Sequence, residues 1–193
     1  METSYFGSAG VLLVKAVFGF FVTVVLLRFL LQWARADFYN PLSQFVVKVT
    51  NPMLVPLRRV IPGVGGVDVA AVVLMFALQL LETWLLTLLM GVGVNLASMA
   101  VLSLARLIDL AFTIYTVTII AEAILSWFQQ GSHNPMIALL HQLNQPVLNP
   151  VRRIIPTFSG IDLSPLVALV LLQLASILIV GPLHDLARSL SLG

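Results

Sequence analysis

The 193-residue sequence is 60 % hydrophobic and only 9 % charged, with a mean hydropathy of +1.05. A soluble domain of this length is about one quarter charged, so the composition indicates a protein whose solvent is lipid. The absence of cysteine excludes disulfide frameworks, thiolate metal centres and cysteine nucleophiles. A net charge of +2 is too small to predict nucleic-acid binding.

Four apolar stretches are long enough to cross a bilayer, which requires roughly 20 helical residues. In chain order they are Ala9 to Leu31, Val69 to Val94, Leu102 to Phe128 and Pro165 to Leu183. The sequence therefore predicts an all-α membrane protein with four transmembrane helices.

Basic residues set the predicted orientation, because cytoplasmic loops are enriched in lysine and arginine. The two long loops carry Arg35, Lys48, Arg58, Arg59, Arg152 and Arg153, and the opposite side carries only Arg106 and Arg188. We therefore expect both long loops in the cytoplasm and both termini outside it.

The sequence repeats itself without gaps at an offset of 94 residues. Matching positions include Trp33 and Trp127, Asn40-Pro41 and Asn134-Pro135, Pro52 and Pro146, Arg58-Arg59 and Arg152-Arg153, and Gly66 and Gly160. Such a fixed offset indicates a duplicated structural unit. We predict two tandem two-helix units, a first unit of residues 1–97 and a second unit of residues 98–193.

Between its two spans, each unit has a segment with the apolar spacing of a short amphipathic helix. Asn40 and Asn134 suit the N-cap position, and a proline follows at the first helical position. We expect Pro52 and Pro146 to end these helices after about three turns, in the plane of the membrane interface. Helix capping is also expected of three polar residues that precede the second and fourth spans: Asp68, Asp162 and Ser164.

Each of these segments ends in a pair of arginines flanked by leucine, valine and isoleucine: Arg58, Arg59, Arg152 and Arg153. At the membrane surface, such apolar side chains enter the acyl region while guanidinium groups meet lipid phosphates. The arginines therefore either anchor the topology or bind a specific partner, such as an anionic lipid head group or a protein.

The doubled pattern of Asn-Pro, then Pro-x-Arg-Arg-x-Ile-Pro, then Gly-x-Asp closely resembles the YggT (YlmG-like) family of bacterial integral membrane proteins. The resemblance extends from about Arg28 to Leu174 and includes both units. It implies a location in the plasma membrane and a link to osmotic tolerance and ion homeostasis, or to division and nucleoid organisation. It implies no settled biochemical activity.

No catalytic motif is recognisable in the sequence, and His133, His141 and His184 do not have the spacing of metal ligands. We therefore expect neither an enzyme nor a bound metal or cofactor. Two other functions remain open, a membrane scaffold that recruits lipids or proteins and an ion or solute path that would require a homo-oligomer. The path would be lined by polar residues within the spans: Lys15, Arg28, Gln79, Glu82, Asp109, Glu122 and Gln173.

The two units differ in the sign of their intramembrane charges. At the 94-residue offset, Lys15 corresponds to Asp109 and Arg28 corresponds to Glu122. A paired charge is tolerated in lipid where a lone charge is costly. Each pair can meet if the first and third spans pack against each other. The two charges of each span are 13 residues apart, about 3.6 turns, so they project to different faces, which favours direct contact in only one pair.

Overall fold

The structure, a computed structural model, describes residues 5–93, 95–128, 134–155 and 162–192. These residues form six helices: α1 Tyr5–Trp33, α2 Pro41–Val60, α3 Val69–Met90, α4 Leu96–Phe128, α5 Pro135–Ile154 and α6 Ser164–Leu192. Within the described part of the chain, α1, α3, α4 and α6 are long and apolar enough to cross a membrane. The prediction of an all-α protein with four such helices is therefore confirmed.

The boundaries of the long helices differ from the predicted spans at their polar ends. α3 ends at Met90 rather than Val94, because Gly91 caps it in the left-handed conformation with φ 65°. α4 begins before Leu102, since Asn95 Oδ1 accepts a hydrogen bond of 2.7 Å from the backbone N–H of Ser98 and so caps an earlier start.

The prediction that Pro52 and Pro146 end the connecting helices is wrong. α2 and α5 each run for 20 residues with these prolines inside them, and so are about 30 Å long. An internal proline costs about 3 kcal/mol, because it lacks an N–H and its ring clashes with the carbonyl one turn earlier. Packing beyond the prolines offsets this cost, since Leu54 and Leu148 are 0 % and 1 % exposed in the apolar core.

The long helices pack mainly as the pairs α1–α3 and α4–α6, and α3 also packs on α4. Ala70 and Ala71 of α3 and Ala168 of α6 are completely buried. Such small side chains allow close approach of helix backbones, which is how helices associate within lipid.

The chain just before α2 is hydrogen-bonded to α5 across the two halves of the molecule. Asn40 Nδ2 donates to the carbonyl oxygen of Pro135 at 2.5 Å, and the backbone N–H of Asp37 donates to Gln142 Oε1 at 2.8 Å. Both connecting helices therefore lie at the same end of the molecule, where α1 and α4 end. At the opposite end, the Ser98 hydroxyl joins α4 to the carbonyl oxygen of Ala187 in α6 at 2.7 Å.

Candidate functional site

A cavity of about 790 Å³, here called the basic cavity, lies between the last turns of α1 and the body of α2. Three basic side chains line it, Arg28 from α1 and Lys48 and Arg58 from α2. The amide side chains of Gln32, Gln44 and Asn51 complete its polar lining. The cavity therefore concentrates positive charge at the end of the molecule that carries the connecting helices.

Arg28 is the buried member of this group, with 6 % of its surface exposed. Its Nη1 donates to Thr50 Oγ1 at 2.5 Å, to Asn51 Oδ1 at 2.9 Å and to the carbonyl oxygen of Val47 at 3.4 Å. All three acceptors are neutral groups on α2. No carboxylate in the described residues lies within 4 Å of the Arg28 guanidinium.

Glu122 makes the corresponding contacts in the second unit. Its Oε1 lies 2.7 Å from His141 Nδ1, and its Oε2 accepts from Asn144 Nδ2 at 2.7 Å. Asn144 is the residue that corresponds to Thr50 at the 94-residue offset. The predicted pairing of Arg28 with Glu122 is therefore corrected, because each charge is held by the connecting helix that follows it in the chain.

The first arginine of each pair is bound to the aspartate that precedes the next long helix. Arg58 Nε donates to Asp68 Oδ2 at 3.2 Å and its Nη2 contacts the same oxygen, and Arg152 Nε donates to Asp162 Oδ2 at 3.0 Å. In the first unit, a tight turn at Gly65 and Gly66 brings the aspartate into position, with φ values of 61° and 83° that favour glycine.

The second arginine of each pair has no such partner. Arg59 and Arg153 are exposed, and neither forms an ion pair with a carboxylate in the described part of the chain. The residues that follow them, Val60 and Ile154, are each 81 % exposed. A free cation next to an exposed apolar side chain thus marks the last turn of both α2 and α5.

The polar residues at the helix starts satisfy backbone N–H groups that lack a helical partner. Asn40 Oδ1 accepts from Leu42 at 3.0 Å, and Asn134 Oδ1 accepts from Met136 at 2.9 Å. Asp68 Oδ1 accepts from Ala71 at 3.2 Å. These are N-cap contacts that fix where α2, α5 and α3 begin.

Asp162 caps the start of α6, where its Oδ1 accepts a hydrogen bond of 2.9 Å from the backbone N–H of Ser164. Ser164 is the first residue of α6 and is completely buried. Burial of the Asp162 carboxyl acts to raise its pKa, but the hydrogen bond from the backbone N–H of Ser164 and the nearby Arg152 guanidinium outweigh burial and hold that pKa below its usual value.

A second cavity, of about 370 Å³, lies within the long helices and is here called the intramembrane cavity. Four charged side chains line it: Lys15 from α1, Glu82 from α3, and Arg106 and Asp109 from α4. Glu82 and Gln79 are buried, and Gln79 Nε2 donates to Glu82 Oε2 at 2.9 Å. Glu82 lies eight residues before the end of α3, about 12 Å along the helix axis, so the charges lie well inside the spans.

The predicted pairing of Lys15 with Asp109 also requires correction. Both residues line the intramembrane cavity, but they form no ion pair shorter than 4 Å. Asp109 Oδ1 instead accepts a weak hydrogen bond of 3.3 Å from the Ser176 hydroxyl on α6. Gln173, the counterpart of Gln79, is exposed and does not line this cavity.

Histidine and carboxylate side chains do not assemble into a metal site within the described residues, where no group of three or more converges. The His141 ring is hydrogen-bonded to Glu122, and His133 lies outside the described residues.

Comparison with known proteins identifies the family. The family described as CCB3/YggT matches residues 8–89 and again residues 101–183. The chain belongs to the CCB3/YggT family. Its relatives in that family include the uncharacterized protein YggT of Escherichia coli strain K12, which is 39 % identical over 160 residues and covers 83 % of each chain.

Two other relatives are similar over even more of the chain. An uncharacterized protein of Pseudomonas aeruginosa is 40 % identical over 178 residues, which are 91 % of this chain and 90 % of the relative. An uncharacterized protein encoded in the proC 3′ region of Vibrio alginolyticus is 44 % identical over 176 residues, which are 89 % and 95 % of the two chains. No solved structure matches the chain.

Three residues that contribute to these sites in this CCB3/YggT protein, Arg106, Thr50 and Asn144, could not be identified from the sequence alone. Arg106 was counted among the residues outside the membrane, but it lies ten residues inside α4 and lines the intramembrane cavity. Thr50 and Asn144 carried no signal beyond their equivalent positions in the two units. Those equivalent positions, taken with Arg28 and Glu122 one helix earlier, were the available clue to both contacts.

Proposed function

We propose that this CCB3/YggT protein is a non-enzymatic scaffold of the bacterial plasma membrane that binds anionic lipid head groups through α2 and α5. In this proposal α2 and α5 are amphipathic helices of two tandem units, both in the cytoplasmic interface, and both termini lie on the other side. The proposal rests on one repeated feature: the last turns of α2 and α5 combine an arginine that has no carboxylate partner among the described residues with an apolar residue that is 81 % exposed.

Both parts of this feature are suited to the boundary between head groups and acyl chains. Val60 and Ile154 would gain about 1.5–3 kcal/mol each by leaving water for lipid. Arg59 and Arg153 would each add about 1 kcal/mol at an anionic surface. Arg58 and Arg152 would contribute less, since Asp68 and Asp162 already neutralise them.

The resemblance to the YggT (YlmG-like) family extends this proposal to osmotic tolerance or to the organisation of envelope and division. A scaffold with these roles would recruit a membrane-protein partner at the surface where α2 and α5 lie.

The proposal is tested by replacing Arg59 and Arg153 together with glutamine. Wild-type protein incorporated in vesicles of equal phosphatidylglycerol and phosphatidylcholine should be enriched in phosphatidylglycerol after mild extraction, and the double variant should lose most of that enrichment. Arg188→Gln is the matched control, because Arg188 is exposed at the opposite end of the molecule and lies 3.8 Å from Asp185. Equal enrichment in the double variant and the wild type would refute the lipid-binding scaffold.

The second candidate function, an ion or solute path, is supported by the intramembrane cavity. Two basic and two acidic side chains line it without ion pairs among themselves, and charges within a membrane are costly unless compensated by water, a solute or each other. A path through this cavity predicts solute or ion flux in liposomes that Glu82→Gln reduces without loss of folded protein. Wild-type liposomes with no flux above empty liposomes would reject this candidate.

A further inference from the structure

We propose that the basic cavity of the first unit is a binding site for one phosphate-bearing group, and that the equivalent positions of the second unit do not form such a site. This inference rests on the proposed lipid-binding function and deepens it, because it assigns one site and one ligand chemistry. Arg28 is the inner anchor of the site, and Lys48 and Arg58 form its outer wall.

The net positive charge of the basic cavity favours the binding of an anion. Arg58 is neutralised by Asp68, whose Oδ2 contacts the guanidinium and whose Oδ1 accepts from the backbone N–H of Ala71. Arg28 and Lys48 have no carboxylate partner in the described residues. Two positive charges therefore line the cavity without a carboxylate partner among the described residues, and one of them, Arg28, is buried, where an unpaired cation is costly.

The donors of Arg28 are arranged to serve a ligand as well as α2. Its three hydrogen bonds to protein all come from Nη1, and Nε and Nη2 donate to no acceptor in the described part of the chain. The planar guanidinium fork matches the paired oxygens of a phosphate. Because the bonds to Thr50 and Asn51 fix the guanidinium on α2, its remaining donors are held in place before a ligand arrives.

The size and position of the cavity fit a phospholipid head group. Its volume of about 790 Å³ falls within the range of small-molecule sites. Arg28 lies five residues before the end of α1, about 7.5 Å along the helix axis, close to the depth at which lipid phosphates meet a spanning helix. The membrane surface thus supplies this chemistry at the mouth of the site.

The second unit provides an internal comparison. At the 94-residue offset, Arg28 and Lys48 are replaced by Glu122 and Gln142, while the Arg58 position keeps Arg152. A cavity of about 690 Å³ lies nearby, mainly between α4 and α6, and shares only the positions of Glu122, Ser126 and Arg152 with the basic cavity. Its charged lining consists of Glu122, Asp162 and Arg152, which are two carboxylates and one guanidinium. The negative charge balance at these positions of the second unit repels phosphate, whereas the unpaired Arg28 and Lys48 of the basic cavity attract it.

The test measures binding of short-chain phosphatidylglycerol to the purified full chain by native mass spectrometry, with short-chain phosphatidylcholine as the reference lipid. Wild-type protein should bind one phosphatidylglycerol in preference to phosphatidylcholine. Lys48→Gln gives the first unit the residue found at Gln142 and should weaken this binding about fivefold, because one basic residue contributes about 1 kcal/mol at such a surface. Arg28→Gln should weaken it more than tenfold.

Lys48→Gln keeps the test decisive even if Arg28→Gln folds poorly, since Lys48 is exposed and donates no hydrogen bond to the described residues. Glu122→Gln is the matched control in the second unit and should leave phosphatidylglycerol binding within twofold of wild type. Equal affinity of wild type and Lys48→Gln, or an equal loss in Glu122→Gln, would overturn the inference.

The same measurement with inorganic phosphate identifies the source of the ligand. Competition by millimolar phosphate that Lys48→Gln weakens supports the site and assigns it to a free phosphate, whereas phosphatidylglycerol binding without such competition assigns it to lipid. The failure of the inference is distinct from that of the proposed function. Suppose that Arg59→Gln combined with Arg153→Gln abolishes lipid enrichment, while Lys48→Gln leaves phosphatidylglycerol binding unchanged. The proposed scaffold function is then supported, and the single binding site in the basic cavity is refuted.

Discussion

Replacing Arg28 and Glu122 with leucine, singly and together, tests whether the two intramembrane charges of the paired units depend on each other. Arg28 holds Thr50 and Asn51, and Glu122 holds Asn144, so the structure gives them separate partners. Hydrogen bonds to a charged group contribute about 1.5–3 kcal/mol, and we expect each single change to lower the free energy of unfolding by about 2 kcal/mol. The double variant should lose about 4 kcal/mol, because sites without shared partners add within about 0.5 kcal/mol.

The assay is reversible unfolding in mixed detergent micelles, followed by helical circular dichroism. A second cycle, Glu122→Leu with Asn144→Leu, serves as the coupled control, since Asn144 donates directly to Glu122. Removing both partners leaves neither unpaired, so this cycle should show a coupling of about 1 kcal/mol or more. If Arg28→Leu and Glu122→Leu rescue each other by more than about 1 kcal/mol, the separate partners described here are wrong.

Two further predictions concern topology and pH. The chain has no cysteine, so a single cysteine can be introduced at the exposed Gln44 or at the exposed Asn95. In intact cells the cysteine at Gln44 should be shielded from an impermeant thiol reagent, and the cysteine at Asn95 should react. The reverse labelling pattern would invert the proposed orientation. The pKa of Asp162 lies below its usual value, so its contribution to stability is present above the unfolded-state pKa of about 3.9 and is lost as pH falls through the folded-state value. Asp162→Asn should therefore destabilise the protein at pH 7 and cost progressively less below about pH 4, and a cost that does not change with pH would contradict the role of Arg152.

The all-α fold with four apolar helices could be predicted because each long apolar run has one stable form in lipid, the helix. The extent of α2 and α5 could not, since local rules place a helix end at Pro52 and Pro146. Burial of Leu54 and Leu148 overrides that local preference, and burial depends on the neighbouring helices rather than on the segment itself.

In the candidate sites, likewise, contacts between residues close in sequence could be predicted, whereas contacts between different helices could not. Contacts within a few residues of a helix start, such as those of Asn40 and Asn134, follow from local sequence. The partners of Arg28 and Glu122 depend on which helix lies beside them. The 94-residue offset assigns Arg28 and Glu122 to equivalent positions, but it carries no information on whether these charges face each other or face the connecting helices that follow them.

Spin labels at Val60 and Ile154 test the proposed lipid-binding surface most directly. Single cysteines at these positions can be labelled selectively, because the chain has no other cysteine. In vesicles containing phosphatidylglycerol, we predict that both labels are relaxed more strongly by lipid-soluble oxygen than by a water-soluble nickel complex, and that Arg59→Gln or Arg153→Gln reduces this difference at the neighbouring label. Labels that are more accessible to the nickel complex in every lipid would place the ends of α2 and α5 in water and contradict the proposed function.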